Sequence, residues 1–326
     1  MLSRLASVNV KNHGYMFILR SLPNLPLIII MGLALVRSGA ALAFELPAPA
    51  TLLNEYSLKS QNISVIEPHE SKENHAVMVR YQAFSMTDLL TKWFSDSWKL
   101  PGAEIVFFAK DGYRSVVNGD KFNKYHAFLA FARADGLPFI IDNTSQNQYK
   151  VPLGPYYLIW ANQDNQELQR QGAYNWPYQV NTIELHGSSE NSLLLPQKRT
   201  QYLEQGLSDI KTYCLTCHHI RGVGGKKYPV DLLQATCQWA NSDLKALIRS
   251  PGRFIPNSTM PSLGPLLPPM ESRLIIERVV NYLNVMQTEQ HLSCGKKTIP
   301  DSSIKSISKG LLHSFGTYSR FNRNKG

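Results

Sequence analysis

All four cysteines of this 326-residue chain lie beyond residue 213. They are Cys214, Cys217, Cys237 and Cys294, and the first two stand in the run Cys214-Leu215-Thr216-Cys217-His218. The first two-thirds of the chain therefore has no thiol for a disulfide or a metal and must fold on apolar packing and hydrogen bonds. The last third, by contrast, is rich in soft ligands. The length allows two domains, each with its own core. A hydrophobic content of 43% with 18% charged residues fits a globular chain and argues against wholesale disorder.

The formal net charge is +10. Residues 1–43 hold Arg4, Lys11, Arg20 and Arg37 and no acid, while residues 296–326 hold seven Lys or Arg and one Asp. These two tails account for the whole excess, so residues 44–295 are neutral overall. Basicity confined to tails is not a nucleic-acid-binding groove, and no nucleic-acid partner is expected.

Residues 1–43 read as a signal peptide. A basic stretch ends at Arg20, an apolar run follows from Leu25 to Val36, and Ala41-Leu42-Ala43 offers a small-x-small cleavage site. The run is about half the roughly 20 residues that span a bilayer; an uncleaved membrane anchor is the alternative. Either way the rest of the chain is expected outside the cytoplasm, in a bacterial periplasm. In the basic tail, Ile304, Ile307, Leu311, Phe315 and Tyr318 recur at helical spacing, but Gly310 and Gly316 weaken a helix. Disorder is the expected state, with peripheral contact to anionic lipid as the alternative.

Between the tails, residues 44–79 read as an extended lead-in with one or two strands. Residues 80–187 read as an α+β domain. Met86, Leu89, Leu90, Trp93 and Phe94 mark an amphipathic helix within Ser85 to Trp98. Glu104 to Ala109 reads as a strand turned by Asp111-Gly112 into Tyr113 to Val117. Tyr125 to Ala134 reads as a second helix; Pro138 to Ile141, Tyr156 to Ala161 and Tyr178 to Leu185 read as strands. Residues 188–199 are polar and serve as a linker. Residues 200–295 form the second domain, with helices from Thr200 to Tyr213 and from Met270 to Gln287.

The Cys-x-x-Cys-His run is the attachment signature of c-type haem. Two thiols one short turn apart each add to a porphyrin vinyl group, and the following imidazole then reaches the iron. Export agrees with this chemistry. A zinc site would need a second compact ligand pair, and a redox Cys-x-x-Cys would need a βαβ setting; neither is visible. One covalent haem c is therefore expected, with Cys214 and Cys217 as thioethers and His218 as an axial iron ligand. The two remaining cysteines, Cys237 and Cys294, suggest a disulfide in an oxidising compartment, against the alternative of two free thiols.

Residues from about 200 to 290 resemble the class I cytochrome c family. The resemblance rests on Gly206, eight residues before Cys214, with Ile210 and Tyr213 on the same helix, on Tyr282 in Glu277-Arg278-Val279-Val280-Asn281-Tyr282-Leu283, and on Gly224-Gly225 and Pro229 after the motif. It implies an all-α cytochrome c fold in which the glycine meets the aromatic residue of the last helix. It also implies that the Pro229 carbonyl orients His218 by a hydrogen bond, and that Met260 of Thr259-Met260-Pro261 is the second axial ligand. A thioether raises the potential of the iron. Met270 is the competing methionine.

The segment Glu104 to Val117, followed by Leu137-Pro138-Phe139 and by Leu153-Gly154-Pro155-Tyr156-Tyr157-Leu158-Ile159-Trp160, is similar to the molybdopterin-binding domain of sulfite-oxidase-like proteins. That resemblance implies an oxidoreductase-like fold. The family's metal-ligating cysteine has no counterpart here, so a cofactor-free domain is expected. His69, His75, His126 and His186 are scattered and read as ordinary surface or core residues. The aromatic groups Asn175-Trp176-Pro177-Tyr178 and Tyr156-Tyr157 read as core, with a docking surface as the sharper alternative.

The expected function is a periplasmic monohaem c-type cytochrome carrying single electrons, not an independent enzyme. It would draw on a dehydrogenase or membrane complex and deliver to an oxidase or reductase, with the N-terminal domain as docking module. The alternative is a haem enzyme, or the haem-bearing subunit of a sulfite-dehydrogenase-like complex.

Overall fold

A computed structural model of the protein describes residues 42–72, 74–187, 192–263 and 267–294. The expected signal peptide up to residue 41, residues 188–191 of the expected linker, and the basic tail lie outside them. All the described residues belong to one compact unit.

Its centre is an antiparallel sheet of eight strands: β1 (Leu42–Glu45), β2 (Ser60–Ile66), β3 (Met78–Ser85), β4 (Glu104–Ala109), β5 (Arg114–Asn118), β6 (Ala127–Arg133), β9 (Tyr156–Trp160) and β10 (Tyr178–His186). The spatial order is β2-β3-β6-β9-β10-β4-β5, and β1 adds along β10. β7 (Ile140–Asn143) and β8 (Gln148–Pro152) make a separate hairpin. Among the described residues there are eight α-helices: α1 (Pro49–Asn54), α2 (Met86–Phe94), α3 (Gly119–Lys124), α4 (Gln166–Arg170), α5 (Gln201–Tyr213), α6 (Leu232–Thr236), α7 (Asn241–Arg249) and α8 (Pro269–Glu289). None is long and apolar enough to cross a membrane.

Tyr156, Tyr157, Leu158, Ile159 and Trp160 of β9 are all fully buried, as befits a strand covered on both faces. α2 starts where Ser85 Oγ accepts from the Asp88 backbone N–H, and its Met86, Leu89, Leu90 and Phe94 enter the same core. The lead-in is part of this body: β2 pairs with β3 over seven residues, and Phe44 stacks on Trp93 at 4.1 Å.

The chain does not form an α+β domain followed by a separate all-α cytochrome c domain. It is mainly one large antiparallel sheet with eight helices, and its C-terminal part is built into the sheet body. The main reason is backbone bonding across the expected boundary. The Arg114 N–H donates to the Thr216 carbonyl at 2.7 Å, and the Lys226 N–H donates to the Gly112 carbonyl at 2.7 Å. Lys211 pairs with Glu104 at 3.2 Å, Lys227 with Asp111 at 2.8 Å, and Asn147 Nδ2 donates to the Ser258 carbonyl at 2.7 Å. The C-terminal part is also not all-α, since β11 (His219–Ile220) and β12 (Val223–Gly224) form a hairpin. Within the stretch read as linker, Leu194 is fully buried and its carbonyl accepts from the Tyr282 hydroxyl.

A second correction concerns Tyr125 to Ala134, read as a helix. It forms strand β6, flanked by β3 and β9. Its apolar run fits either structure locally, and two neighbouring strands that saturate its backbone decide the matter.

Candidate functional site

α5 delivers the cysteine motif. Thr200 caps its start by accepting from the Leu203 N–H, and Gly206 lies where α8 crosses. A Cβ on Gly206 would sit 2.8 Å from the Arg278 carbonyl oxygen and 3.1 Å from the Tyr282 Cβ. The glycine and the aromatic residue named by the resemblance therefore do meet. Beside that contact, Arg278 grips Asp209 through Nε at 2.6 Å and Nη2 at 3.2 Å.

Past Tyr213 the backbone makes one more turn. The Cys217 and His218 N–H groups both donate to the Cys214 carbonyl, at 3.2 and 2.9 Å. The other carbonyls of the motif are also taken. Leu215 accepts from Gly225 at 2.8 Å, Thr216 from Arg114 at 2.7 Å, and Cys217 from Tyr228 at 3.2 Å. Two stretches of chain, the start of β5 and the segment from Gly225 to Tyr228, thus hold the loop by its backbone.

The close return of the chain depends on glycine. Arg221 and Gly222, both with positive φ, turn β11 into β12, as a two-residue hairpin loop requires. A Cβ on Gly225 would lie 2.2 Å from the Thr216 oxygen and 3.1 Å from the Cys217 Cα. Gly224, at φ +127°, passes equally close to the His218 carbonyl.

Cys214 and Cys217 are unpaired thiols, half-buried. Burial pushes the Cys214 thiol up to about 12, and the neighbouring Cys217 and Asp209 charges add to that. Burial also raises Cys217, against the pull of Lys227 and of the Thr216 hydroxyl. His218 is pushed down to about 4 by burial, with His219 contributing, so at neutral pH it is the uncharged imidazole that ligates metals. Tyr228 stacks on the His218 ring at 4.9 Å between centroids and 21° between planes.

The Tyr228 hydroxyl shares a 2.8 Å hydrogen bond with Thr259 Oγ1, which ties the Met260 loop to the residue stacked on His218. Met260 is half-buried against the helical core, and its N–H is held by Ser258 Oγ at 3.2 Å. Met270, the competitor, is 79% exposed at the start of α8. Pro229 is exposed, and among the described residues no hydrogen bond joins it to the His218 ring. Cys237 and Cys294 are joined in a disulfide, with Cα atoms 4.8 Å apart, tying the end of α6 to the segment after α8.

The donor set suits a covalently attached haem: two protonated thiols spaced along one turn, a neutral imidazole, a thioether on a tethered loop, and a glycine cradle that holds the turn. Of the residues that hold the loop from outside, Arg114 and Tyr228 carry no motif of their own. Asp111-Gly112 reads only as a turn, though a Cβ on Gly112 would sit 2.8 Å from the Lys226 carbonyl carbon. In the sheet body the described residues contain no group of three His, Cys, Asp or Glu able to hold a metal. Trp176, Tyr156 and Tyr157 are buried core residues. A comparison of the sequence with protein-family models and with curated proteins finds no match.

Proposed function

We propose that this chain is an exported monohaem c-type cytochrome that carries single electrons between redox partners. In this reading Cys214 and Cys217 bind the haem covalently, His218 is one axial ligand and Met260 the other. The observation that carries it is the division of the four cysteines: Cys237 and Cys294 are joined to each other, while Cys214 and Cys217 stand unpaired beside a neutral histidine.

When bound, the haem supplies a one-electron iron couple. The chain's own residues do the rest. Cys214 and Cys217 would hold the haem as thioethers. The backbone bonds to Leu215, Thr216 and Cys217 keep both sulfurs and the imidazole in one turn. His218 has no proton to lose before it donates its lone pair. The Tyr228–Thr259 bond limits how far the Met260 loop can move from His218. A disulfide agrees with an oxidising compartment. The electron donor would be a dehydrogenase or membrane complex, and the acceptor an oxidase or reductase.

The test is attachment. Full-length protein matured with haem-attachment machinery is denatured and assayed for retained porphyrin by its absorption. One porphyrin per chain is expected, lost in the double variant Cys214→Ser with Cys217→Ser. A wild-type chain without retained porphyrin refutes the reading.

A further inference from the structure

The sheet body contains a second group of interacting polar side chains, far from the motif in sequence. Glu67 is fully buried. Its carboxylate accepts from the Tyr81 hydroxyl at 2.7 Å and the Tyr157 hydroxyl at 2.8 Å, and from the backbone N–H of His69 at 3.2 Å. His69 Nδ1 lies 2.9 Å from Glu67 Oε1 and 3.0 Å from the Tyr157 oxygen. Since Tyr157 spends its proton on Glu67, Nδ1 carries the proton of the imidazole. Nε2 is then the ring atom left to take a second proton.

His69 is not sealed in. It lines a cleft of about 50 Å³ together with Tyr178, Tyr113, Trp176, Asp111 and Lys227. That is room for a few waters, each needing on the order of 10–15 Å³. The far wall of the cleft belongs to the motif loop: Lys227, held by Asp111 at 2.8 Å, is two residues past the glycine packed on Cys217. Tyr178 spans the cleft, with its ring centroid 5.6 Å from that of His69.

We propose that this chain couples electron uptake to partial proton uptake, and that His69, braced by Glu67 and opening on the cleft beside the Cys217 loop, is where the proton binds. The inference rests on the haem reading. One electron enters from an external one-electron donor, and in a fraction of the molecules one proton enters from solvent through the cleft. The proton bonds to Nε2, no bond breaks, and both leave on reoxidation. The reason is charge balance in a low-dielectric setting. An added negative charge near the cleft raises the proton affinity of a group that faces it.

Other groups face His69 from every side, and none replaces it. Glu67 is an acceptor already satisfied by four donors. Tyr81, Tyr157 and Tyr178 keep their protons, because burial raises all three. Lys227 and Asp111 neutralise each other. Glu70 and Arg133 act on Tyr81 with opposite sign. Histidine is the side chain whose charge ordinarily changes between pH 5 and 8.

The experiment is a redox titration of full-length, haem-loaded protein from pH 5 to 8.5. For the wild type the equilibrium constant for reduction should fall about tenfold across the range, which is about 59 mV for a one-electron couple. His69→Gln should flatten that dependence while leaving the Soret band intact. Wild-type protein reduced in weakly buffered solution should also take up a fraction of a proton per electron, a measurement that needs no variant. A dependence unchanged in His69→Gln, or no proton uptake by the wild type, overturns the proposal alone. Absence of a Soret band in the wild type overturns the haem reading first and this one with it.

Discussion

Among the described residues two carboxylates are buried, one in the helical part and one in the sheet, and they are satisfied in opposite ways. Asp209, on α5, is 9% exposed and faces a guanidinium that holds it with two hydrogen bonds. Glu67, just past β2, meets no permanent cation; two phenols, a backbone N–H and an imidazole surround it. Arginine does not lose its proton in proteins, so the cation in the first site is permanent. The second has a partner that can titrate. The helical site holds α5 against α8, while the sheet site can report a change of charge.

The contrast can be broken most forcefully on the helical side. Arg278→Ala leaves Asp209 without its partner and should cost about 3 kcal/mol. A thermal melt should show a fall of roughly 6–12 °C; a fall below about 2 °C would mean that water replaces the guanidinium. On the sheet side, Tyr81→Phe removes one of several donors to Glu67. A hydrogen bond to a charged group is worth about 1.5–3 kcal/mol, and with the other donors left in place the loss should sit near 1.5 kcal/mol in a urea titration.

A smaller effect separates the sites by pH. Burial works to raise the pKa of Glu67, but the bond and charge of His69, then the bonds from Tyr81 and Tyr157, outweigh it and leave that pKa below the usual 4.5. An acid with a depressed folded-state value stabilises the fold above its unfolded value, and that stability is lost as pH falls through the folded value. Urea midpoints should therefore drop as pH falls below 4.5, and less steeply in Glu67→Gln. An equal drop in both proteins would assign the acid sensitivity elsewhere. The smallest change is expected of Lys227→Ala. Its pair with Asp111 is partly screened at the cleft mouth and should contribute about 0.5 kcal/mol, measurable by the same titration and reduced by salt.

How far these regions could be read in the sequence also differs. α5 and α8 follow helical periodicity and appear within a few residues of where Thr200 to Tyr213 and Met270 to Gln287 place them. The β4–β5 hairpin follows from its Asp-Gly turn. The contact of Gly206 with Tyr282 follows from a resemblance, since nothing local to either residue names the other. β6 was illegible because Ala, Phe and Leu in a short run suit a helix as well as a central strand. The single compact unit was illegible too. Arg114, Gly112, Lys226 and Thr216 make the joint mostly through backbone atoms, which leave no trace in side-chain pattern.

The same division holds for chemistry. The amino-acid order alone determined that two thiols and an imidazole fall on one turn, because covalent spacing sets which side chains a short loop can present together. It also determined that the first 213 residues fold without cysteine. Only the tertiary structure decided that the loop is clamped by the sheet and that His69, read as an ordinary residue, faces a cleft with Glu67 behind it. Glu67, Tyr81 and Tyr157 are separated by up to 90 residues. Contacts at that range depend on how strands order themselves in a sheet, and strand order is a property of the whole packed chain.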